Sequence, residues 1–600
     1  MTEPAVPVAR IPRVVWGAAG AIVLLHLVLA LGMRAPIVHP DEGSYLGAAH
    51  FFAFGEGLLN SAASYSPGYP VLLAPLARLL GDPMATYHGA LVVNAVLHGT
   101  VVVTTYLLAR RLVRPGEDGR AVVAGVLVAL YAAFLLSGNL AMATSLMVAG
   151  VPAVLVLVAR AWERPTTTRW ALAGAAGVAL VGVHPVGVVV AGAVGVAPLL
   201  GARRAAVGAT ARRFASTVAG GAAVAVVVAL LVDLTRRHTT VARHVGARGS
   251  ATGGAQSRVG YTAGQVRDAL GFSNPRGLLV AASGQVLYLV VATFGLVLVG
   301  MVVAARNAPR GVRDPDASAG TRLAFLAGLV LLGSVVASVL VINPPRDASA
   351  SALLYGRYND QVVGPVLLLG LLGLPAVVRD RRRMLVAVGG VAAVVVACVA
   401  VILLAWPGAS HLDLLELGDV LGVFAVVNGL GRLDVFRLGV VLPVLALVGV
   451  AGFGLLVLAQ RRGGTRALAV VAGLGFLVPA LLAGVVIVRS SANRARQDVL
   501  VGAIRSATDG GSSRRDCVAY LPAVEASWWL ANYEFRLPDR RFEPLAAAGD
   551  AGAVPPGPCA RLVLATGDDP AVAALGLEPI ASERVDDPYP ITLYRMPGSR

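Results

Sequence analysis

Nothing constrains this chain more than its succession of uninterrupted apolar runs, each long enough for a helix to cross a lipid bilayer. A hydrocarbon core about 30 Å thick requires ~20 apolar residues in helical form, and inside it every backbone amide must be bonded within the segment. Reading for such runs gives about thirteen spans, starting near residues 14, 88, 121, 140, 170, 184, 214, 278, 322, 360, 384, 437 and 467. Apolar residues make up 57% of the 600 and charged residues only 14%, too little polar surface for water-soluble domains of this size. The expected fold is therefore mainly α, a polytopic membrane helix bundle.

The formal net charge is +17, and every basic side chain is an arginine. In a soluble protein that excess would point to nucleic acid. Here the arginines gather in alternate connections between spans: Arg110, Arg111, Arg114 and Arg120 in one, Arg203, Arg204, Arg212 and Arg213 in another, Arg379, Arg381, Arg382 and Arg383 in a third. The positive-inside rule makes these loops cytoplasmic and the bilayer lipid, not nucleic acid, the partner of the charge. The amino end, with Arg10 and Arg13, is then cytoplasmic, and an odd number of spans leaves the carboxyl end outside. The assignment turns on His184-Pro185, read as splitting one apolar run into two short helices; a single helix there would reverse every later loop. The first span, 14–33, reads as an uncleaved anchor, because its apolar length is that of a full span and no small-residue cleavage site follows. The expected location is the cell membrane, multi-pass.

Two domains are expected: a transmembrane domain over 1–489 and a small extracytoplasmic α/β domain over 490–600, where hydropathy falls. The latter has strand patterns at CVAYL, RLVLA and ITLYR and a helical stretch at AVEASWWLAN. Cys517 and Cys559 lie on the oxidising side, where a disulfide between them stays open, while Cys398 falls within a span. The first outer loop, 34–87, contains two aromatic-bearing apolar pieces, 44–54 and 67–80, too short to cross and read as helices lying in the interface. A second outer segment, 235–277, is long and arginine-rich, either a solvated loop against anionic headgroups or a cover over an anionic ligand. There is no internal repeat, no CxxC or HExxH spacing, no Walker loop and no dinucleotide fingerprint, which disfavours nucleotide-driven chemistry.

The chemistry-bearing feature is His39-Pro40-Asp41-Glu42, just outside the first span. Adjacent carboxylates beside an apolar interface read either as the polar flank of a helix or as a site, since burial raises carboxylate basicity and suits a general base. Tyr45, Phe51, Phe52 and Phe54 follow at once, and the proline-rich Tyr65-Ser66-Pro67-Gly68-Tyr69-Pro70 comes later in the same loop. Both favour the site. Far along the chain, Tyr355-Gly356-Arg357-Tyr358-Asn359-Asp360 opens a late span and reads either as an aromatic-belt anchor with a snorkelling arginine or as an anion-binding element. Asn94, His98 and Asn139 read as interhelical hydrogen-bond partners, and His184 as a helix-break residue.

The order of an acidic pair after the first span, two interfacial helices and a Pro-aromatic motif before the second resembles the GT-C superfamily of integral membrane glycosyltransferases. The likeness is to the branch of lipid A aminoarabinose transferases and protein O-mannosyltransferases. It implies transfer of a hexose or pentose from a polyprenyl-phosphate donor to a hydroxyl or amine of a cell-envelope glycan, lipid or protein, with inversion. Asp41 would act as general base and Glu42 would position it or bind sugar hydroxyls. Arg357 is favoured over the 235–277 arginines for the departing phosphate, with His39, Tyr45, Tyr65 and Tyr358 as further substrate-binding residues. Where many relatives carry a second acidic residue this chain reads SGNLAMATS, with Asn139 and no carboxylate, so no metal is expected to be required and no cofactor is assigned. A transporter or flippase of lipid-linked or anionic solutes is the rival reading, although transporters place ionisable residues at mid-membrane depth and show paired repeats. A non-catalytic scaffold of the same shape is a third.

Overall fold

The protein was analysed as a computed structural model that describes residues 11–37, 41–55, 65–201, 207–237, 275–342, 354, 356–405, 422–423, 438–497, 499–508, 517–521, 530–538, 540–545, 561–566, 570–583 and 590–597. Helix α1 (Arg13–Ala30) leads to two short helices, α2 (Asp41–Phe54) and α3 (Gly68–Leu80), and then to the long α4 (Pro83–Leu112). Next come α5 (Asp118–Ala129), α6 (Ala132–Ser137), α7 (Thr144–Glu163), α8 (Thr167–Val183), α9 (Gly187–Val196) and α10 (Val207–Arg237). The second half has α11 (Pro275–Ala292), α12 (Leu296–Arg313), α13 (Ala319–Ile342), the single turn α14 (Arg357–Asp360), α15 (Gly364–Val378), α16 (Arg381–Ala405) and α17 (Leu438–Gln497). Among the described residues eight helices are long and apolar enough to cross a membrane, and the last of them is two helices joined at Gly464, whose φ is 62°. The chain is thus a mainly α, polytopic membrane protein.

Local sequence sets many of the boundaries. Asp82 caps α4 by accepting the Ala85 amide at 2.7 Å, with Pro83 at the first helical position, and Thr166 caps α8 in the same way. His184-Pro185 does separate α8 from α9. The two interfacial pieces form α2 and α3, within three residues of the expected starts. The run near 278 behaves differently from the single expected span, because it breaks into α11 and α12 at Phe294 (φ 47°) and Gly295 (φ 73°). Hydropathy cannot see this turn. Stacking of Phe294 on Phe476, with ring centroids 5.6 Å apart, holds a conformation that a phenylalanine rarely adopts.

Helices meet where side chains vanish. A Cβ on Gly174 would lie 2.0 Å from the Thr217 carbonyl and one on Gly220 2.0 Å from that of Ala171, so α8 and α10 pack backbone to backbone, as small residues allow in lipid. The outward faces of α10 and α16 leave Val226, Leu230, Val396 and Leu404 exposed, as expected where lipid is the solvent, whereas the α7 face is almost wholly buried. One end of the bundle gathers Asp41, Ala141, His184 and Arg357, and the other gathers Arg110, Arg111, Arg120 and Glu163.

The carboxyl-terminal unit follows α18 (Val499–Thr508) and contains β1 (Cys517–Tyr520), α19 (Leu530–Arg536), β2 (Arg541–Pro544), β3 (Leu562–Thr566), α20 (Pro570–Ala574), β4 (Glu578–Glu583) and β5 (Ile591–Arg595). Its sheet has the order β2-β1-β3-β5-β4, with β1 parallel to β2 and β3, and β5 antiparallel to β3 and β4. Three strands coincide with the expected patterns; β2 and the largely exposed β4 had no alternating signal. The helix expected at AVEASWWLAN is described from Leu530, with 522–529 outside the described residues, as is Cys559 of the cysteine pair. The last long helix runs on to Gln497, past the expected boundary at 489. The unit is anchored to the bundle. A buried Arg494–Glu583 ion pair of 2.9 Å joins α17 to β4, and Phe535 of α19 enters the core of the helical domain, where α19 packs on α2 and α4.

Candidate active site

Asp41 opens α2, where the unpaired amides of the first turn favour a negative charge. It is 7% exposed, and its two carboxylate oxygens have different partners: Tyr65 donates its hydroxyl to Oδ1, and the Arg357 guanidinium pairs with Oδ2. Three positions from three parts of the chain therefore meet at one carboxylate. Tyr45, one turn further along α2, sets its ring edge-on to Tyr65 at 5.1 Å and to Tyr69 at 5.7 Å. Tyr69 in turn donates to Asn94 Oδ1 at 2.9 Å, and Asn94 Nδ2 donates to the Leu140 carbonyl at 2.8 Å. Tyr45, expected from sequence to bind substrate, is 2% exposed and packs its ring against Tyr65 and Tyr69.

Glu42 differs sharply from its neighbour. It is fully buried, Oε2 accepts the Ile37 amide at 2.8 Å, and Oε1 accepts the Ala141 amide at 2.7 Å. The expected catalytic pair thus divides its labour: Asp41 meets side chains, while Glu42 ties the first loop to the 138–143 turn through backbone. That turn is the SGNLAMATS stretch that lacks a carboxylate of its own, and Glu42 reaches it from the other side. Ser491 fastens the start of the same loop to α17, accepting the Arg34 and Ala35 amides, each at 2.8 Å.

Arg357 sits in the one-turn helix α14, whose four residues reach several different elements. Arg357 reaches Asp41, Tyr358 packs its ring 5.3 Å from His184, Asn359 bonds to Gln285 and Ser334, and Asp360 accepts hydroxyls from Tyr131 and Tyr288. Tyr358 therefore lies beside the helix-break histidine. His39 falls outside the described residues, as does most of the 235–277 segment. Among the described residues, no three or more His, Cys, Asp or Glu side chains gather to hold a metal ion.

No family model matches the sequence, and a search of curated proteins finds no match. Solved structures do match. ArnT from Cupriavidus metallidurans bound to undecaprenyl phosphate superposes with a TM-score of 0.52 at 15% identity, covering 97% of this chain and 98% of that one. Its apo form gives 0.50 at 14% identity over 97% of each chain. The chain shares the fold of ArnT, and the likeness extends to the carboxyl-terminal unit, since coverage is nearly complete in both directions.

Sequence reasoning missed Asp360, Tyr131 and Tyr288, although Asp360 ends the very motif that contains Arg357. A signal was present. A carboxylate at the mouth of an apolar span is costly unless bonded, and two tyrosines in otherwise apolar stretches are candidate donors.

Proposed function

We propose that this chain is a membrane glycosyltransferase that moves a sugar from a polyprenyl-phosphate donor to an acceptor hydroxyl or amine, with inversion, at the outer membrane face. One observation supports it above all: Asp41 and Arg357, far apart in sequence, meet directly in a GT-C fold, with Tyr65 on the same carboxylate. The undecaprenyl phosphate bound to ArnT supports the donor class.

The step balances simply. The acceptor oxygen attacks the anomeric carbon, the bond from that carbon to the phosphate oxygen breaks, and the acceptor proton passes to Asp41 as general base. Polyprenyl phosphate departs as an anion. Arg357, paired with Asp41, exchanges that carboxylate for the phosphate when donor enters, which neutralises the leaving group and frees an Asp41 oxygen for the proton. Tyr65 keeps the other oxygen oriented. Glu42 is a positioning residue, holding the first turn of α2 against the 138–143 turn. The amino end is cytoplasmic in this reading, and the carboxyl-terminal unit lies outside, above the site.

Arg357→Ala tests the assignment of partners. Losing a charge-assisted contact to phosphate raises the KM for the polyprenyl-phosphate sugar about tenfold to a hundredfold and leaves that for acceptor unchanged. Equal effects on the two substrates contradict the phosphate role.

A further inference from the structure

The turn that carries Arg357 is only four residues long, and a single helical turn does not hold itself together in isolation. Something else must fix the guanidinium. Asp360, at the end of the turn, is 2% exposed, and each of its oxygens takes a tyrosine hydroxyl: Tyr131 at 2.7 Å on Oδ1 and Tyr288 at 2.5 Å on Oδ2. Tyr131 lies between α5 and α6, and Tyr288 lies on α11, so the carboxylate fastens the turn to two separate parts of the bundle. The Tyr288 ring also grips the other end. A Cβ on Gly356, the residue that caps the turn, would fall 1.8 Å from that ring, so only glycine fits. The Gly356 carbonyl in turn accepts the Asn359 and Asp360 amides, both at 2.9 Å. Tyr288 is itself held by the Gly422 amide at 2.8 Å.

We propose that Asp360 is a positioning residue that acts through Arg357, locking the turn between Tyr131 and Tyr288 so that the guanidinium is set at the Asp41 carboxylate and at the donor phosphate. The proposal rests on the reading of Arg357 as the phosphate-binding cation. Packing alone does not account for the carboxylate, because an aliphatic side chain would fill the space without the cost of burying a polar group. A misplacement of ~1 Å is enough to cost a bound reactant on the order of a hundredfold, so a small slip of the turn has a large effect at Arg357.

The experiment measures binding of undecaprenyl phosphate to the full-length protein in lipid nanodiscs, in a cycle of Asp360→Asn, Arg357→Ala and the double variant. Asp360→Asn weakens binding about tenfold in the otherwise native protein and has no further effect once Arg357 is alanine, since coupled residues fail to add. Tyr288→Phe, which removes one hydroxyl and keeps the ring on Gly356, shifts binding in the same direction and carries the same cycle should the aspartate variant fail to fold. Native affinity in Asp360→Asn and Tyr288→Phe, or an equal loss in both Arg357 backgrounds, overturns the proposal. Failure of the unaltered protein to bind undecaprenyl phosphate overturns the donor reading and this inference with it.

Discussion

At one end of the bundle Arg110 meets Asp118 at 3.2 Å and Arg111 meets Glu163 at 2.5 Å, with the acidic partners 56% and 40% exposed. At the other end, Arg357 pairs with Asp41 and Arg494 with Glu583, and none of those four side chains is more than 12% exposed. The same two residue classes do different work in the two places. Exposed pairs are screened and individually contribute little. A buried ion survives only if bonded, so at the other end each charge is matched to a particular partner and each loss is felt.

Substitutions probe that contrast directly. The largest stability loss is expected for Arg494→Ala, which leaves Glu583 buried without its cation and costs about 3–5 kcal/mol. A fall in the unfolding midpoint in detergent reports it, and an unchanged midpoint would show that the carboxyl-terminal unit is held by Phe535 and its neighbours alone. Glu42→Ala comes next. It leaves the Ile37 and Ala141 amides unpaired, at ~1–3 kcal/mol for each group, and Glu42→Gln recovers part of that because one amide keeps an acceptor. Equal destabilisation by alanine and glutamine would argue against the backbone clamp. Arg111→Ala should cost no more than about 1 kcal/mol, since its partner is substantially exposed. A loss as large as that of Arg494→Ala would erase the distinction between the two ends.

Much of the layout was legible in the residues because lipid imposes one rule along the whole chain. The two short helices α2 and α3 and the split at His184-Pro185 follow from apolar length and the placement of proline. So does the selection of Asp41, Tyr65 and Arg357, three residues whose type and depth are unusual, although only the folded chain shows that they touch. The break at Phe294-Gly295 was not legible, since a backbone dihedral leaves no trace in hydropathy and the ring that stabilises it, Phe476, lies far along the chain. What Glu42 and Asp360 bond to was not legible either. Their partners are a backbone amide of the 138–143 turn and hydroxyls of Tyr131 and Tyr288, and nothing in the local sequence of either acid points to them.

The central claim is that Asp41 takes the acceptor proton. In membranes containing the full-length protein, supplied with a polyprenyl-phosphate sugar, Asp41→Asn is expected to lower transfer by about 10²–10⁴-fold, while the amount of folded protein and the binding of undecaprenyl phosphate persist. Transfer by the asparagine variant at the native rate would contradict the claim.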